Sequence, residues 1–316
     1  MEKSRAIVIG VLLKVDVGNP NAGWPEGVVT VLKKVELPVA GKVHPYISGQ
    51  ALRRYLRDTL EEILPSEEKF SPLLPGDDPK SPVVTEGNPR EYIDDDLFGF
   101  MRAIKAKTKR RASPLRVSPA FGLFPYTGDR DLGTRSAVEV LEEAEAGGSI
   151  FETEVTNNVF RSTILLEIDR VGKWKLYETI DEGKKNLELE SAVRMRRVIL
   201  LLEALKYLWG GGRRSRMLVD LSPQFIIYAR MTRKLPIFLQ ALMVSMGEEG
   251  YTLNTSILDE VIKDYKPSIK KLIIGLRRGF LANDEEISTW AKGKANTYSV
   301  GEAVDKMIED IKGTEF

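Results

Sequence analysis

Gln50, Arg53, Arg54 and Arg57 stand at i, i+3, i+4 and i+7 in Ile47-Ser48-Gly49-Gln50-Ala51-Leu52-Arg53-Arg54-Tyr55-Leu56-Arg57, so a helix presents them as one polar stripe. Ser48 opens that helix, where free backbone N–H groups and the positive end of the helix dipole attract phosphate. The stripe suits a phosphodiester backbone, although a solvated helix face fits the same spacing. A second set, Gly210-Gly211-Gly212-Arg213-Arg214-Ser215-Arg216, puts bare amides beside guanidinium groups and can cradle phosphate. It lacks the Gly-Lys-Ser or Gly-Lys-Thr ending of a P-loop and follows no strand, which argues against nucleotide hydrolysis. A helix stop leading into a charged loop reads it equally well. Between Arg102 and Arg116 there are seven basic residues and no acid; such a run is more often a solvated face than a site, but the lack of acids favours a phosphate contact.

The same inventory limits catalysis. With no cysteine and one histidine, disulfides, thiolate zinc sites, iron–sulfur clusters, cysteine nucleophiles and paired-histidine metal motifs are excluded. General-base chemistry falls to His44 or to carboxylates. His44, between Lys42 and Pro45, reads as a surface-loop residue, with a histidine-dependent ribonuclease as the alternative. Asp94-Asp95-Asp96 reads as a helix start with dipole-favoured charge rather than a metal site. No cofactor is expected.

The elements that must position these groups follow from periodicity. The 316 residues are 42% hydrophobic and 29% charged, with 47 Lys and Arg nearly cancelling 46 Asp and Glu. That describes a globular chain with room for two domains or one core with large insertions. Residues 5–17 form a strand rather than a signal segment, since Lys14 and Asp16 follow the apolar run Ala6 to Leu13 at once without a small-residue cleavage site. Gly18, Asn19, Pro20, Asn21 and Gly23 then make a turn, and a second strand falls within 28–35. Ser48 caps a helix carrying Leu52, Leu56, Leu60 and Ile63 on one face, and Pro65 stops it. Six prolines make 65–92 irregular, and Asp96 is expected to cap a short helix through Leu97, Phe98, Phe100 and Met101.

A strand over 115–124, a polar excursion over 125–157 and a strand over 159–171 come next. The helix at 190–209 ends at Gly210, and 215–229 is strand-like. Without the insertions the order is strand, helix, strand, strand, helix, strand, the split βαβ or ferredoxin-like order of RNA-recognition modules. Residues 235–316 are expected to be mostly helical. Residues 235–246, interrupted by Pro236 and Gln240, are far short of the roughly 20 residues of a membrane span, so a soluble, cytoplasmic protein is expected. Absent cysteine and only three glutamines hint at a thermophile.

The succession Asn19…Gly23, the Ser48-x-Gln50-x-Leu52-Arg53-Arg54 helix, Asp96-Leu97-Phe98-Gly99-Phe100-Met101, Asn157-Asn158-Val159-Phe160 and the Gly210 loop leading to Leu221-Ser222-Pro223 resembles the DevR-like CRISPR-associated backbone subunits of type I Cascade, in the RAMP superfamily. The likeness covers residues 1 to about 240. It implies an α+β fold: an RNA-recognition-motif-like palm (1–64, 113–124 and 158–234), a fingers insertion (65–112), a thumb hairpin (125–157) and a helical C-terminal part (235–316) packed on the palm. It also implies a non-catalytic subunit that polymerises head-to-tail along CRISPR RNA beside other Cascade subunits and presents the guide to target DNA, without a membrane partner.

By the same likeness, guide phosphates fall to Ser48, Gln50, Arg53, Arg54, Arg57, Gly210, Gly211, Gly212, Arg213 and Arg214. Asn19, Asn21, Arg116, Asn158 and Phe160 complete the expected RNA-binding set. The rival reading is an endoribonuclease that uses His44, or Asp129 and Asp131 with a metal ion.

Overall fold

The computed structural model describes residues 3–38, 41–75, 83–104, 107–135, 149–181, 183, 187–210 and 217–315. In chain order its elements begin with β1 (Ala6–Gly18), β2 (Val29–Thr30), β3 (Lys34–Leu37), β4 (Lys42–Ile47) and α1 (Gly49–Glu62). There follow α2 (Ile93–Leu97), β5 (Phe100–Ile104), β6 (Lys107–Arg111), β7 (Leu115–Val117), β8 (Ala120–Gly122), β9 (Arg130–Arg135), β10 (Ser149–Glu154) and β11 (Thr156–Leu166). The chain continues with α3 (Ser191–Lys206), β12 (Pro223–Met231), β13 (Val244–Gly247), β14 (Gly250–Leu253), α4 (Thr255–Tyr265), β15 (Ile269–Leu276), α5 (Asp284–Ala291), β16 (Thr297–Tyr298) and α6 (Val300–Lys312).

β1 owes its unbroken apolar run to burial on both faces, which removes the usual alternation. Ile7, Ile9, Val11, Leu13 and Val15 join the layer formed by α1, α3 and α6. Val8 and Leu12 join a second core with Phe238, Leu242, Leu258 and Ile287. A Cβ on Gly10 would stand 2.9 Å from the Phe238 Cβ, so glycine lets the 238–242 segment lie directly on the strand. The main sheet runs β16-β15-β12-β1-β11-β8-β4-β3, with β7 also on β11. β1 pairs antiparallel with β11 (Ile7 opposite Leu166) and with β12 (Ala6 opposite Met231). The elements β1, α1, β7 with β8, β11, α3 and β12 appear in the order expected from the sequence.

Other expectations are corrected. Residues 235–316 are not mostly helical: β15 enters the main sheet antiparallel to β12, with Phe225 opposite Leu276, and β16 pairs with it in parallel. The run Leu272-Ile273-Ile274-Gly275-Leu276 is buried by covering the edge of β12. Phe100 and Met101 are strand rather than helix, because Gly99 turns the chain at φ +71° and β5 pairs with β6. The strand expected over 115–124 is two short pieces around Ser118 and Pro119.

The polar excursion contains the antiparallel pair β9–β10, and β10 also lies parallel to β2. Residues 136–148 of the excursion lie outside the described residues. Among the described residues no helix is long and apolar enough to cross a membrane.

Candidate nucleic-acid interface

α1 forms where Leu52, Leu56 and Leu60 can be buried together, and its cap is made locally: Ser48 Oγ accepts from Ala51 N at 3.2 Å. The turn before it is tied to the same point. Asn21 Oδ1 accepts from Ser48 N at 2.9 Å, while the Asn21 carbonyl accepts from Lys33 N at 3.0 Å. A Cβ on Gly49 would collide with the Val117 carbonyl, so the first turn of α1 sits against the end of β7. One turn further on, Tyr55 Oη donates to the Pro20 carbonyl at 2.8 Å. Gly210 lies over the Tyr55 ring, with room for no side chain: a Cβ there would stand 2.7 Å from the ring. The post-β1 turn, the start of α1 and the first glycine of the Gly-Arg loop therefore meet on one face. Gln50 and Arg54 of the same helix are exposed; the Arg54 side chain is 63% exposed and its Nε lies 2.7 Å from Asp58 Oδ1.

The rest of the expected set divides. Arg53 and Arg57 share the stripe but turn inward. Arg53 Nη2 donates to the Phe98 carbonyl, its Nε is buried without a partner, and desolvation pushes its pKa down. Arg57 Nη2 lies 2.7 Å from Asp94 Oδ2, and its guanidinium stacks 4.8 Å from the Phe70 ring centroid. Both arginines thus anchor α1 to α2 and its surroundings.

The triplet Asp94-Asp95-Asp96 corrects the capping expectation: all three are buried, and Tyr92 occupies the cap position of α2 without a side-chain bond. Asp94 Oδ1 accepts from Ser71 N, and Asp95 Oδ2 from Gly87 N and Asn88 N at 2.7 and 2.8 Å. Asp96 receives Arg111, Arg197 and Gly172 N. Burial raises Asp95 to about 6.

Asn19, Asn158 and Phe160 are interior residues, which corrects the expectation that their side chains face RNA. Asn19 Nδ2 donates to the Glu154 carbonyl at 3.1 Å. Asn158 brackets Phe124, accepting from its N–H and donating to its carbonyl. Phe160, opposite Leu13 in the sheet, is wholly buried. Arg116 is exposed and paired with Glu167. Gly211, Gly212, Arg213 and Arg214 lie outside the described residues.

His44 is a buried strand residue rather than a loop residue. Its Nδ1–H donates to the Gly122 carbonyl at 2.8 Å, and its ring stacks on Phe121. Asp129 accepts from the Thr127 hydroxyl, and Asp131 lies in β9. Among the described residues no group of three or more His, Asp or Glu could hold a metal ion.

Two contributors escaped the sequence reading. Tyr55 recurs at helical spacing with Leu52 and Leu56, and a tyrosine in such a stripe needs a partner for its hydroxyl. Glu154 is buried at the end of β10, where it accepts from Leu32 N and Lys34 Nζ at 2.8 Å and so fixes the excursion to the turn below it. Nothing local marked it.

A mixed α+β molecule built on this sheet is shared with solved chains of CRISPR complexes. One, from a "CRISPR RNA-guided surveillance complex", superposes with a TM-score of 0.56 at 16% identity, covering 96% of this chain and 99% of the other. Another, from a "CRISPR RNA-guided surveillance complex, pre-nicking", gives 0.60 at 13% identity over 97% and 100%.

The sequence narrows this class. Residues 25–255 match the family of the "CRISPR-associated negative auto-regulator DevR/Csa2", and the chain belongs to that family. The "CRISPR-associated protein Cas7/Cst2/DevR" of Myxococcus xanthus (strain DK1622) is 25% identical over 304 residues, 92% of this chain and 93% of the relative.

Proposed function

We propose that this chain is a non-catalytic backbone subunit that binds CRISPR RNA through the α1 face and lines up with further copies of itself, head to tail, inside a type I surveillance complex. The observation that carries the reading is the meeting of Asn21, Ser48, Tyr55 and Gly210, which brings the post-β1 turn and Gly210 against a capped helix whose Gln50 and Arg54 are exposed. Family membership and the shared fold support it. In this reading β1, α1, β7 with β8, β11, α3 and β12 are an RNA-recognition-like palm, because β12-β1-β11-β8 is the 4-1-3-2 order of a split βαβ unit. Residues 65–112 are then the fingers, and the β9–β10 excursion is the thumb that rests on the neighbouring copy. The guide, once held, is presented for pairing with target DNA. The burial of His44 against Gly122 weighs against the ribonuclease reading.

The test is the salt dependence of single-stranded RNA binding. Arg54→Ala should lower the slope of log K against log salt by about 0.7, the contribution of one single-strand phosphate contact. Arg53 and Arg57 stay untouched, because they hold Phe98 and Asp94. An unchanged slope and affinity in folded Arg54→Ala would refute the assignment of this face.

A further inference from the structure

Of the four tryptophans, Trp24 is the outlier: it is 90% exposed, whereas Trp174 is buried and Trp209 and Trp290 are half-buried. An indole so placed gains nothing from its own fold. The backbone beneath it is nevertheless fixed. Gly23 N donates to the Val31 carbonyl at 2.8 Å, and Ala22 bridges Leu32. Glu26 and Val29 exchange both backbone bonds at 2.9 and 3.0 Å around Gly27, whose φ of +59° closes the turn. Pro25 restricts the Trp24 backbone further. The strap is short: Trp24 is three positions on from Asn21, so their Cα atoms are no more than about 11 Å apart. Asn21 is the residue that receives Ser48 N.

A rigid, exposed aromatic face beside a phosphate-binding helix start supplies the two parts of a single-strand site, a groove for the backbone and a platform for a base. From this juxtaposition we infer that Trp24 stacks on one nucleobase of the RNA whose phosphates lie on the α1 face. The inference rests on the reading of that face as the RNA interface. Stacking uses the ring face common to all bases, so the contact tolerates sequence.

The experiment measures binding of a short oligoadenylate, too short to bridge two copies, by anisotropy and by tryptophan emission. Trp24→Ala should weaken binding about 5- to 150-fold, the range that loss of one base–aromatic stack produces. Its salt slope should match that of the wild type, since no phosphate contact is removed. Trp24→Phe should restore most of the affinity, and RNA should quench wild-type emission far more than that of Trp24→Phe. Unchanged melting temperatures would confirm that the exposed ring is not holding the fold.

If Trp24→Ala binds like the wild type while Arg54→Ala is weakened, the stacking assignment falls and the interface stands. If Trp24→Ala binds the short oligomer normally but no longer accumulates copies on long RNA, the ring meets a neighbouring protein and the assignment again falls. If the wild type binds no single-stranded RNA, the interface reading fails and takes this one with it.

Discussion

Replacing Asp95 by Asn should stabilise the protein at neutral pH and leave it unchanged in acid. Asp95 is fully buried, and its Oδ2 accepts from Gly87 N and Asn88 N, which an Asn oxygen can also do. Desolvation moves its carboxyl from 3.8 to about 6, with the neighbouring Asp94 carboxylate pushing the same way. Because the folded pKa lies above the unfolded one, the native state binds the extra proton between these values. Stability therefore falls as pH rises through the window from about 4 to about 6. At 1.36 kcal/mol per pKa unit, the full loss above it is about 3 kcal/mol. Asn carries no such charge, so urea unfolding of Asp95→Asn should show about 2–3 kcal/mol more stability than the wild type at pH 7, narrowing to nothing near pH 4. The m-values of the two proteins should agree. A difference independent of pH, or a wild type that gains on the variant as pH rises, would show that the carboxylate is favoured where it sits and would refute the desolvation argument.

Two further outcomes follow from the interface. Phe160→Ala should cost about 3–5 kcal/mol in chemical denaturation, as for a large ring removed from a packed core, while the folded fraction binds RNA with wild-type affinity; a selective loss of binding at unchanged stability would put Phe160 on the surface. Gly210→Ala should drive a methyl into the Tyr55 ring, cost about 1–3 kcal/mol and weaken RNA binding by displacing residue 210 from α1, read by melting and anisotropy together. Full RNA affinity in that variant would separate the glycine loop from the interface.

What the sequence revealed was whatever depended on one repeating pattern. α1 was legible from Ser48 to Pro65 because Leu52, Leu56 and Leu60 repeat at helical spacing between a cap and a breaker. β1 was legible as an apolar run, but its second cover was not, although a glycine inside a strand, here Gly10, signals that something approaches closely. β15 was missed while its surroundings were read as helix; the compact run from Leu272 to Leu276, between Pro267 and Gly279, was the available signal.

The stripe of Gln50, Arg53, Arg54 and Arg57 was right in phase and undecided in role. Spacing places side chains on a face, but the partners of Arg57 are Phe70 and Asp94, which lie beyond the end of α1. The triplet of aspartates misled for the same reason: its cations, Arg57, Arg111 and Arg197, come from three distant elements. Asn158 and Phe160 entered the expected set through the family likeness, and both are buried, which is the place of a residue that serves the fold.

The place of β1 at the centre of the sheet has a consequence for biosynthesis. Its flanking strands are β11 and β12, and the second of these ends at Met231. β1 thus gains its second flank only when β12 has been made. At about 5–20 residues per second, its far flank arrives roughly 10–40 s after β1 has been translated. For that interval a nearly uninterrupted apolar segment waits without its permanent neighbours, and pairing over such sequence separations is slow once it begins. Nascent chains of this protein are therefore expected to need that segment shielded on the ribosome, and crowding of unfinished copies is the condition under which its yield should suffer first.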